Sequence, residues 1–432
     1  MKTRLSGRFW CALILFGLVG QIAWVVENMY LNVFIYKMFS ASAADISLMV
    51  SASAIAATLT TVFIGALSDK LGRRKLFICS GYILWGISIS AFALLRVDVI
   101  SALVPMTVSA ASVGVSLTVA FDCLMTFFGS SANDAAFNAY VTDSTDETNR
   151  GSAEGVNSMM PLVAILAVFG SFMAFDLNDE KSWSYIFPII GVLVLAVGIV
   201  GMFVIEDKCE KSDAPYVKSI FYGFSPSTVK ANPSFYFALA CFIIFNISIQ
   251  IFMPYLIIYY EVSLGMANYV FVMAPAIILA SVFTVFFGRY YDKSGFVRAV
   301  FVSLVSLVLG YAVLFIFRST VPVFIGSLLM MCGYLSGMAA FGARIRDLTP
   351  TGKAGMMQGV RIFSQVLVPG IVGPYIGKCV LASAETIQNN DGTSSFVPNE
   401  NIFLAALAVA VLLVCVLVVS VIKKRKAPLE NK

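Results

Sequence analysis

"GALSDKLGRRK", residues 65–75, sits between two apolar runs and returns in altered form as "GRYYDKSGFVR", residues 288–298. At an offset of 223 the copies share Gly65/Gly288, Asp69/Asp292, Lys70/Lys293, Gly72/Gly295 and Lys75/Arg298. A second set agrees at an offset of 204, in Asp143/Asp347, Thr145/Thr349, Gly151/Gly355, Gly155/Gly359 and Val156/Val360. The two offsets differ by 19 residues, the surplus that the first copy carries in the region 99–117. A chain that repeats in this way is expected to build two equivalent halves. In a membrane protein such duplication is a transporter architecture, with solute bound near the midplane where the halves meet.

The composition puts the chain in a membrane. Its 432 residues are 59% hydrophobic and 12% charged, with a mean hydropathy of +0.89, beyond what a soluble domain keeps dispersed in water. Apolar runs of about 20 residues, enough to cross about 30 Å of hydrocarbon as helix, recur throughout. The short alternating segments of a transmembrane barrel are absent. Hydropathy and breakers predict helices near 9–36, 45–68, 75–95, 118–142, 156–175, 184–205, 234–261, 268–290, 296–317, 321–342, 357–381 and 402–422. The expected fold is an all-α integral membrane protein, twelve transmembrane helices in two pseudo-symmetric six-helix bundles. Residues 1–205 form the first bundle, 206–231 a polar cytoplasmic linker, 232–422 the second bundle and 423–432 a basic cytoplasmic tail.

Of the 29 lysines and arginines, all but Lys37, Arg96, Lys181, Arg318 and Lys378 fall on the side shared by both termini and the linker. That asymmetry makes both termini cytoplasmic in a multi-pass plasma (inner) membrane protein. It also permits only one crossing between Arg96 and Asp143, so residues 99–117 are expected to make an external or interfacial excursion. The first run follows Lys2, Arg4 and Arg8 but has no small-residue cleavage site, and it reads as an uncleaved first helix. External loops carry no Asn-x-Ser/Thr acceptor, which favours a bacterial membrane. The eight cysteines are dispersed without CxxC, and there is no histidine, HExxH, GxSxG or Walker loop. Zinc hydrolysis, a Ser-His relay and ATP-driven pumping are unsupported. No enzyme activity, cofactor, metal or nucleic-acid partner is expected, since membrane orientation accounts for the basic residues.

Polar residues at membrane depth are the candidate site. Asp134 lies nine residues before Asp143, about 13 Å along a helix rising 1.5 Å per residue. Ser130, Asp134 and Asn138 recur every four residues, with Asn133 and Phe137 beside them. Intramembrane carboxylates mark ion pathways, the alternative being a hydrogen-bonded cluster that only joins helices. Glu27, with Asn28 and Tyr30 in "QIAWVVENMYLN" (21–32), either carries a proton, binds solute or faces the outer vestibule. Asp122 is expected at the external rim. The seventh helix offers Asn246 and Gln250 one turn apart, suited to neutral hydroxylated ligands, and Pro254 marks a kink. Tyr30, Phe137 and Tyr255 present rings suited to sugars, although each taken singly is more often core.

The loop at 65–75 resembles the signature loop of the major facilitator superfamily, with the degenerate copy where that superfamily repeats it. The resemblance implies a gating set of Gly65, Asp69, Gly72, Arg73, Arg74, Asp292 and Arg361. In it, the glycines allow close approach and a tight turn, and Asp69 meets the start of the eleventh helix near Gln358 and Arg361. "NDAAFNAYVTDSTDETNRG" (133–151) is similar to the fourth helix and following loop of the glycoside-pentoside-hexuronide:cation symporters, the melibiose permease group, with Asp134 at that group's aspartate. Sodium-coupled members place two carboxylates in the second helix, yet "DISLMVSASAIAATLTTVFIGALSD" (45–69) has none between Asp45 and Asp69. A proton is therefore the expected coupling ion, through Asp134 first and Glu27 second. The expected function is secondary active symport of a neutral polyhydroxylated solute by a monomer in the lipid bilayer. A carrier of an amphipathic lysolipid or drug, or a transport-dead receptor, are the alternatives.

Overall fold

Small polar residues set the ends of the helices. Ser6, Ser109 and Ser225 accept hydrogen bonds from the main-chain N–H three residues on, and Ser42 forms a reciprocal capping box with Asp45. Each arrangement satisfies a donor that a helix start leaves open. Gly72 closes the second span with a left-handed φ of 62°, a conformation that costs glycine little. The computed structural model describes residues 5–105, 109–145, 149, 153, 156–206, 221–350, 354–388 and 393–426, with the main chain alone at 69, 354–356, 358 and 424–426.

Ten helical runs among the described residues are long and apolar enough to cross a membrane. In the first half these are Gly7–Phe39, Ala43–Ser68, Arg74–Leu94, Ala110–Asp143 and Glu180–Val204, joined by the shorter apolar helix Met160–Phe172 as the fifth span. In the second half they are Pro233–Ser263, Val270–Ile316, Thr320–Leu348, Gly359–Ser383 and Asn401–Lys423. The 47-residue run Val270–Ile316 is broken at Gly295, where φ is 77° and ψ 169°, and so holds the eighth and ninth spans. With that break, and with Met160–Phe172 in fifth place though shorter than a full crossing, the described residues fit the twelve expected spans.

Two expectations need correction. The fourth span begins at Ala110, not near 118, because Ser109 caps it. The excursion expected over 99–117 shrinks to the short helix Val97–Leu103, which buries Ile100 and leaves Leu103 exposed. The surplus residues lengthen the span to 34, and one crossing is kept. Among the described residues there is one departure from all-α structure, a small two-stranded sheet of Thr386–Gln388 and Ser394–Phe396 between the last two spans.

The described residues cluster into two compact units, Met1–Gly223 with Ile387–Ser395, and Phe224–Thr386 with Phe396–Lys432. Lipid gives helices no hydrophobic reason to associate, so close packing at small residues has to do it. In the first unit the third and sixth spans meet at glycines: a Cβ on Gly86 would overlap the Gly191 carbonyl oxygen, and one on Gly191 would overlap the Ser90 Oγ. In the second unit the ninth and tenth spans do the same, with Gly310 against the Met330 main chain and Gly333 against that of Leu307.

Gly191→Ala is therefore expected to force the third and sixth spans apart, at a cost of about 1–3 kcal/mol as an overpacked contact. Gly170, with nothing within 4 Å of its would-be Cβ, is the control. Thermal unfolding of the purified protein should show a lowered midpoint for Gly191→Ala and an unchanged or raised one for Gly170→Ala.

Candidate functional site

The first span does not run as plain α-helix. Between Val26 and Tyr30 it widens into a π-helical turn, and Glu27 sits in that turn, 7% exposed. Its Oε1 accepts hydrogen bonds from Ser53 Oγ of the second span at 2.8 Å and Thr126 Oγ1 of the fourth at 2.9 Å. The two hydroxyls are themselves 2.8 Å apart. Glu27 Oε2 is buried without a hydrogen-bond partner among the described residues. Asp122, one turn before Thr126, is only 1% exposed, and its Oδ1 is likewise buried and unpartnered. The expected rim position of Asp122 is thus wrong: the fourth span starts earlier than expected and carries Asp122 into the protein beside Ser53 and Glu27.

The fourth span widens in the same way at Ser130–Phe137, and Asp134 lies in that segment. Ser130 Oγ donates to Asp134 Oδ2 at 3.1 Å and Asn133 Nδ2 to Oδ1 at 3.3 Å. Asn133 is held in turn by the Tyr82 hydroxyl, which donates at 2.9 Å to Asn133 Oδ1 and lies 2.7 Å from the Phe16 carbonyl. Gly20 makes room for this contact, since a Cβ there would fall 2.6 Å from the Tyr82 oxygen. Asp134 itself is half-buried. Ser130 and Asn133 are both neutral, so they hydrogen-bond the carboxyl group without neutralising it. Asn138 turns its amide back onto the Asp134 carbonyl at 3.2 Å and is exposed.

The candidate solute-binding residues separate into two kinds. Asn28 and Asn138 are exposed, each with its Nδ2 bonded to a carbonyl one turn back, and Gln250 is half-buried. These three are the candidates whose side chains are not packed away. Tyr30, Phe137 and Tyr255 are packed away instead. Tyr30 lies 4.1 Å from the Phe172 ring, Phe137 stacks on Phe16 at 5.6 Å, and the Tyr255 hydroxyl lies 3.4 Å from the Pro374 carbonyl. Their rings fill the interiors of their units, so the expected sugar-stacking role is not supported by their placement. Asn133 and Asn246 are buried as well, Asn246 donating to the Phe242 carbonyl at 2.8 Å. The seventh span does break at Pro254, where Met253–Tyr255 forms a single 3-10 turn. Beside that break Gly373 packs on Gln250, so closely that a Cβ on Gly373 would overlap the Gln250 Cβ.

In the loop after the second span the Asp69 side chain lies outside the described residues. Gly72 has the left-handed turn that the motif implies, but Gly65 makes no close approach among the described residues of its unit, its nearest neighbour being the Ala135 Cβ at 3.8 Å. Arg74 has a contact that the sequence did not disclose. Buried to 6% exposure, it donates from Nε to Asp143 at the end of the fourth span at 3.0 Å, and from Nη1 to Ser68 Oγ at 2.7 Å. Arg73 shapes the start of the third span, where it takes a non-helical conformation. In the second copy Asp292 is exposed, and the neighbouring Tyr291 hydroxyl reaches Asp347 Oδ2 at 3.4 Å. Arg361 is half-buried in the eleventh span. Ser53, Thr126 and Tyr82 escaped sequence reading because lone hydroxyls inside apolar helices carry no pattern. Asp143 did give a signal, its match to Asp347.

This arrangement of spans, with carboxyl groups inside helices and a repeated charged loop, defines a membrane transporter. The model of the Major Facilitator Superfamily matches residues 9–374, and the chain belongs to that family. It is therefore a transporter of small-molecule solutes, not an enzyme. Among solved structures it is similar to a mutant form of the nucleoside transporter NupG, with 12% identity, 95% of this chain and 98% of that chain covered, and a TM-score of 0.73. It is also similar to a bacterial homolog of the human lysosomal transporter Spinster, with 15% identity, 96% of both chains covered and a TM-score of 0.67. The xylose transporter XylE from E. coli shares 16% identity over 94% of this chain and 98% of its own, with a TM-score of 0.66. No curated protein matches the chain.

Arg74→Met should lower stability by about 1–3 kcal/mol, the cost of leaving polar partners of a buried cation unmatched. Part of that loss should return in Arg74→Met/Asp143→Asn. A double-mutant cycle on thermal unfolding checks the coupling, and additive single effects would mean that the ion pair contributes nothing.

Proposed function

We propose that this chain is a proton-coupled symporter of a neutral polyhydroxylated solute, a glycoside or oligosaccharide, working by alternating access in a plasma (inner) membrane with both termini cytoplasmic. The observation that carries this reading is Asp134: a carboxyl group inside the fourth span, on a residue that is half-buried, with Ser130 and Asn133 as donors. Such a group serves as a proton carrier because its ionised form is costly in apolar surroundings, while the neutral acid is tolerated. Exposure of one edge gives the proton a way on and off. The exposed amides of Asn28 and Asn138 and the half-buried Gln250 support an uncharged, hydroxyl-rich solute, since amides both donate and accept. The split of lysines and arginines between the two sides supports the orientation.

Asp134→Asn mimics the protonated acid. It should abolish accumulation of solute driven by an imposed pH gradient in proteoliposomes while leaving solute exchange measurable. The solute is first to be found by thermal shift of the purified protein against panels of sugars and lipids. Gradient-driven accumulation that survives in Asp134→Asn but is lost in Glu27→Gln would move the coupling role to Glu27. Stimulation by sodium at fixed pH would overturn proton coupling.

A further inference from the structure

Three oxygens, Glu27 Oε1, Ser53 Oγ and Thr126 Oγ1, form a closed triangle with edges of 2.8, 2.8 and 2.9 Å. Every edge has the length of an O–H···O hydrogen bond, and each such bond needs one hydrogen. The two hydroxyls bring one each. If Glu27 is a carboxylate, one edge places two lone pairs face to face. If Glu27 carries a proton, the third hydrogen is present and the ring closes with every contact satisfied.

Asp122 extends the same cluster. It lies beside Ser53 and Glu27, and it and Glu27 each keep a buried oxygen without a partner among the described residues. No lysine or arginine lies in the first span between Arg8 and Lys37, in the second before Lys70, or anywhere in the fourth. Within these three spans, then, no cation offsets a second negative charge. Among the described residues, the other titratable groups that face the cluster are Asp134 and Cys123 of the fourth span, with Tyr82 of the third facing Asp134, and none of them carries a positive charge in either protonation state. Two carboxylates so placed, away from water, cannot both ionise.

We propose that Glu27 and Asp122 form a proton-sharing pair, a second proton site separate from Asp134 and built across the first, second and fourth spans. Resting on Glu27, the shared proton closes the hydroxyl ring and ties the three spans together; when it moves to Asp122 or is lost, an edge of that ring opens. The site thereby links protonation to the packing of the first unit. This inference stands on the Glu27 cluster and does not require Asp134 to be the coupling acid.

The test is infrared spectroscopy of the full chain in lipid nanodiscs, titrated with pH and needing no solute. At neutral pH the wild type should show a carbonyl band from a protonated, buried carboxylic acid. The band should persist in Asp134→Asn, vanish in Glu27→Gln/Asp122→Asn, and shift in Ser53→Ala, which keeps both acids and removes a bonding partner. Circular dichroism confirms that each variant is folded, and Ser53→Ala decides the matter if the double variant is not. The proposal is overturned if the wild type has no such band, if the double variant keeps it, or if Ser53→Ala leaves it unshifted. Loss of the band on adding sodium or lithium chloride at fixed pH would also overturn it and make the cluster a metal-ion site.

Discussion

A carboxyl group in hydrocarbon must find its hydrogen-bond partners inside the protein, and this constraint organises the first unit. The fourth span carries two such groups, Asp122 and Asp134, and the first span carries Glu27. Water is not there to solvate them, so neighbouring helices must supply donors at fixed positions. Ser53 of the second span and Thr126 of the fourth reach Glu27, while Ser130 and Asn133 reach Asp134. Asn133 is itself fixed by Tyr82 of the third span. The polar groups thus pin four spans in one register, a precision that apolar packing in lipid does not provide. Gly20 leaves the room in which the Tyr82 hydroxyl meets Asn133.

The helices bend their own geometry to meet this demand. Glu27 and Asp134 both lie in π-helical segments, and the described residues of the second unit have two more, Tyr259–Ser263 and Phe363–Leu367. A π-turn inserts a residue and rotates the remainder of the helix, which redirects a side chain without ending the span. In the fourth span the widened segment covers eight residues, Ser130 to Phe137. There it buries the Phe137 ring against Phe16 while leaving Asp134 half-buried and Asn138 exposed. An unbroken α-helix predicts one polar stripe through Ser130, Asp134 and Asn138. The widened helix instead grades them from buried, to half-buried, to exposed.

Only forces that leave a periodic or compositional trace could be read from the sequence. Hydropathy is set by the bilayer, so the spans were legible, and the repeated loops gave the duplication. Asp134 and Glu27 stood out because charge is rare at depth. Their partners did not, since Ser53, Thr126 and Tyr82 look like ordinary helix residues until helices are placed side by side. Asp122 was misplaced because its depth depends on where the fourth span begins, and that is decided by the cap at Ser109. Tyr30, Phe137 and Tyr255 show the opposite failure: an aromatic ring near polar residues reads equally well as ligand platform or as core, and packing makes these three core. The small sheet at Thr386–Gln388 and Ser394–Phe396 was missed because three-residue strands barely establish alternation.

The two loop copies show how duplication preserves a geometric task while changing the chemistry that performs it. Asp143 and Asp347 correspond at the offset of 204, and Ser68 and Tyr291 at the offset of 223. In the first copy Ser68 is too short to reach Asp143, and Arg74 bridges them, bonded to Ser68 at 2.7 Å and to Asp143 at 3.0 Å. In the second copy Val297 stands where Arg74 does, so no bridging cation exists at that position. Tyr291 supplies the missing length, and its hydroxyl reaches Asp347 directly at 3.4 Å. A hydrogen bond to a charged group contributes about 1.5–3 kcal/mol when one partner is a buried cation in good geometry. A long contact from the half-buried Tyr291 to the exposed Asp347 contributes less, because its geometry is poorer and water competes for the carboxylate. The first unit therefore holds the end of its fourth span with an ion pair whose arginine is buried and whose aspartate is exposed. The second holds the equivalent end of its tenth span with a bond that breaks at lower cost, while the positive φ of the loop glycine is kept in both copies, at Gly72 and Gly295.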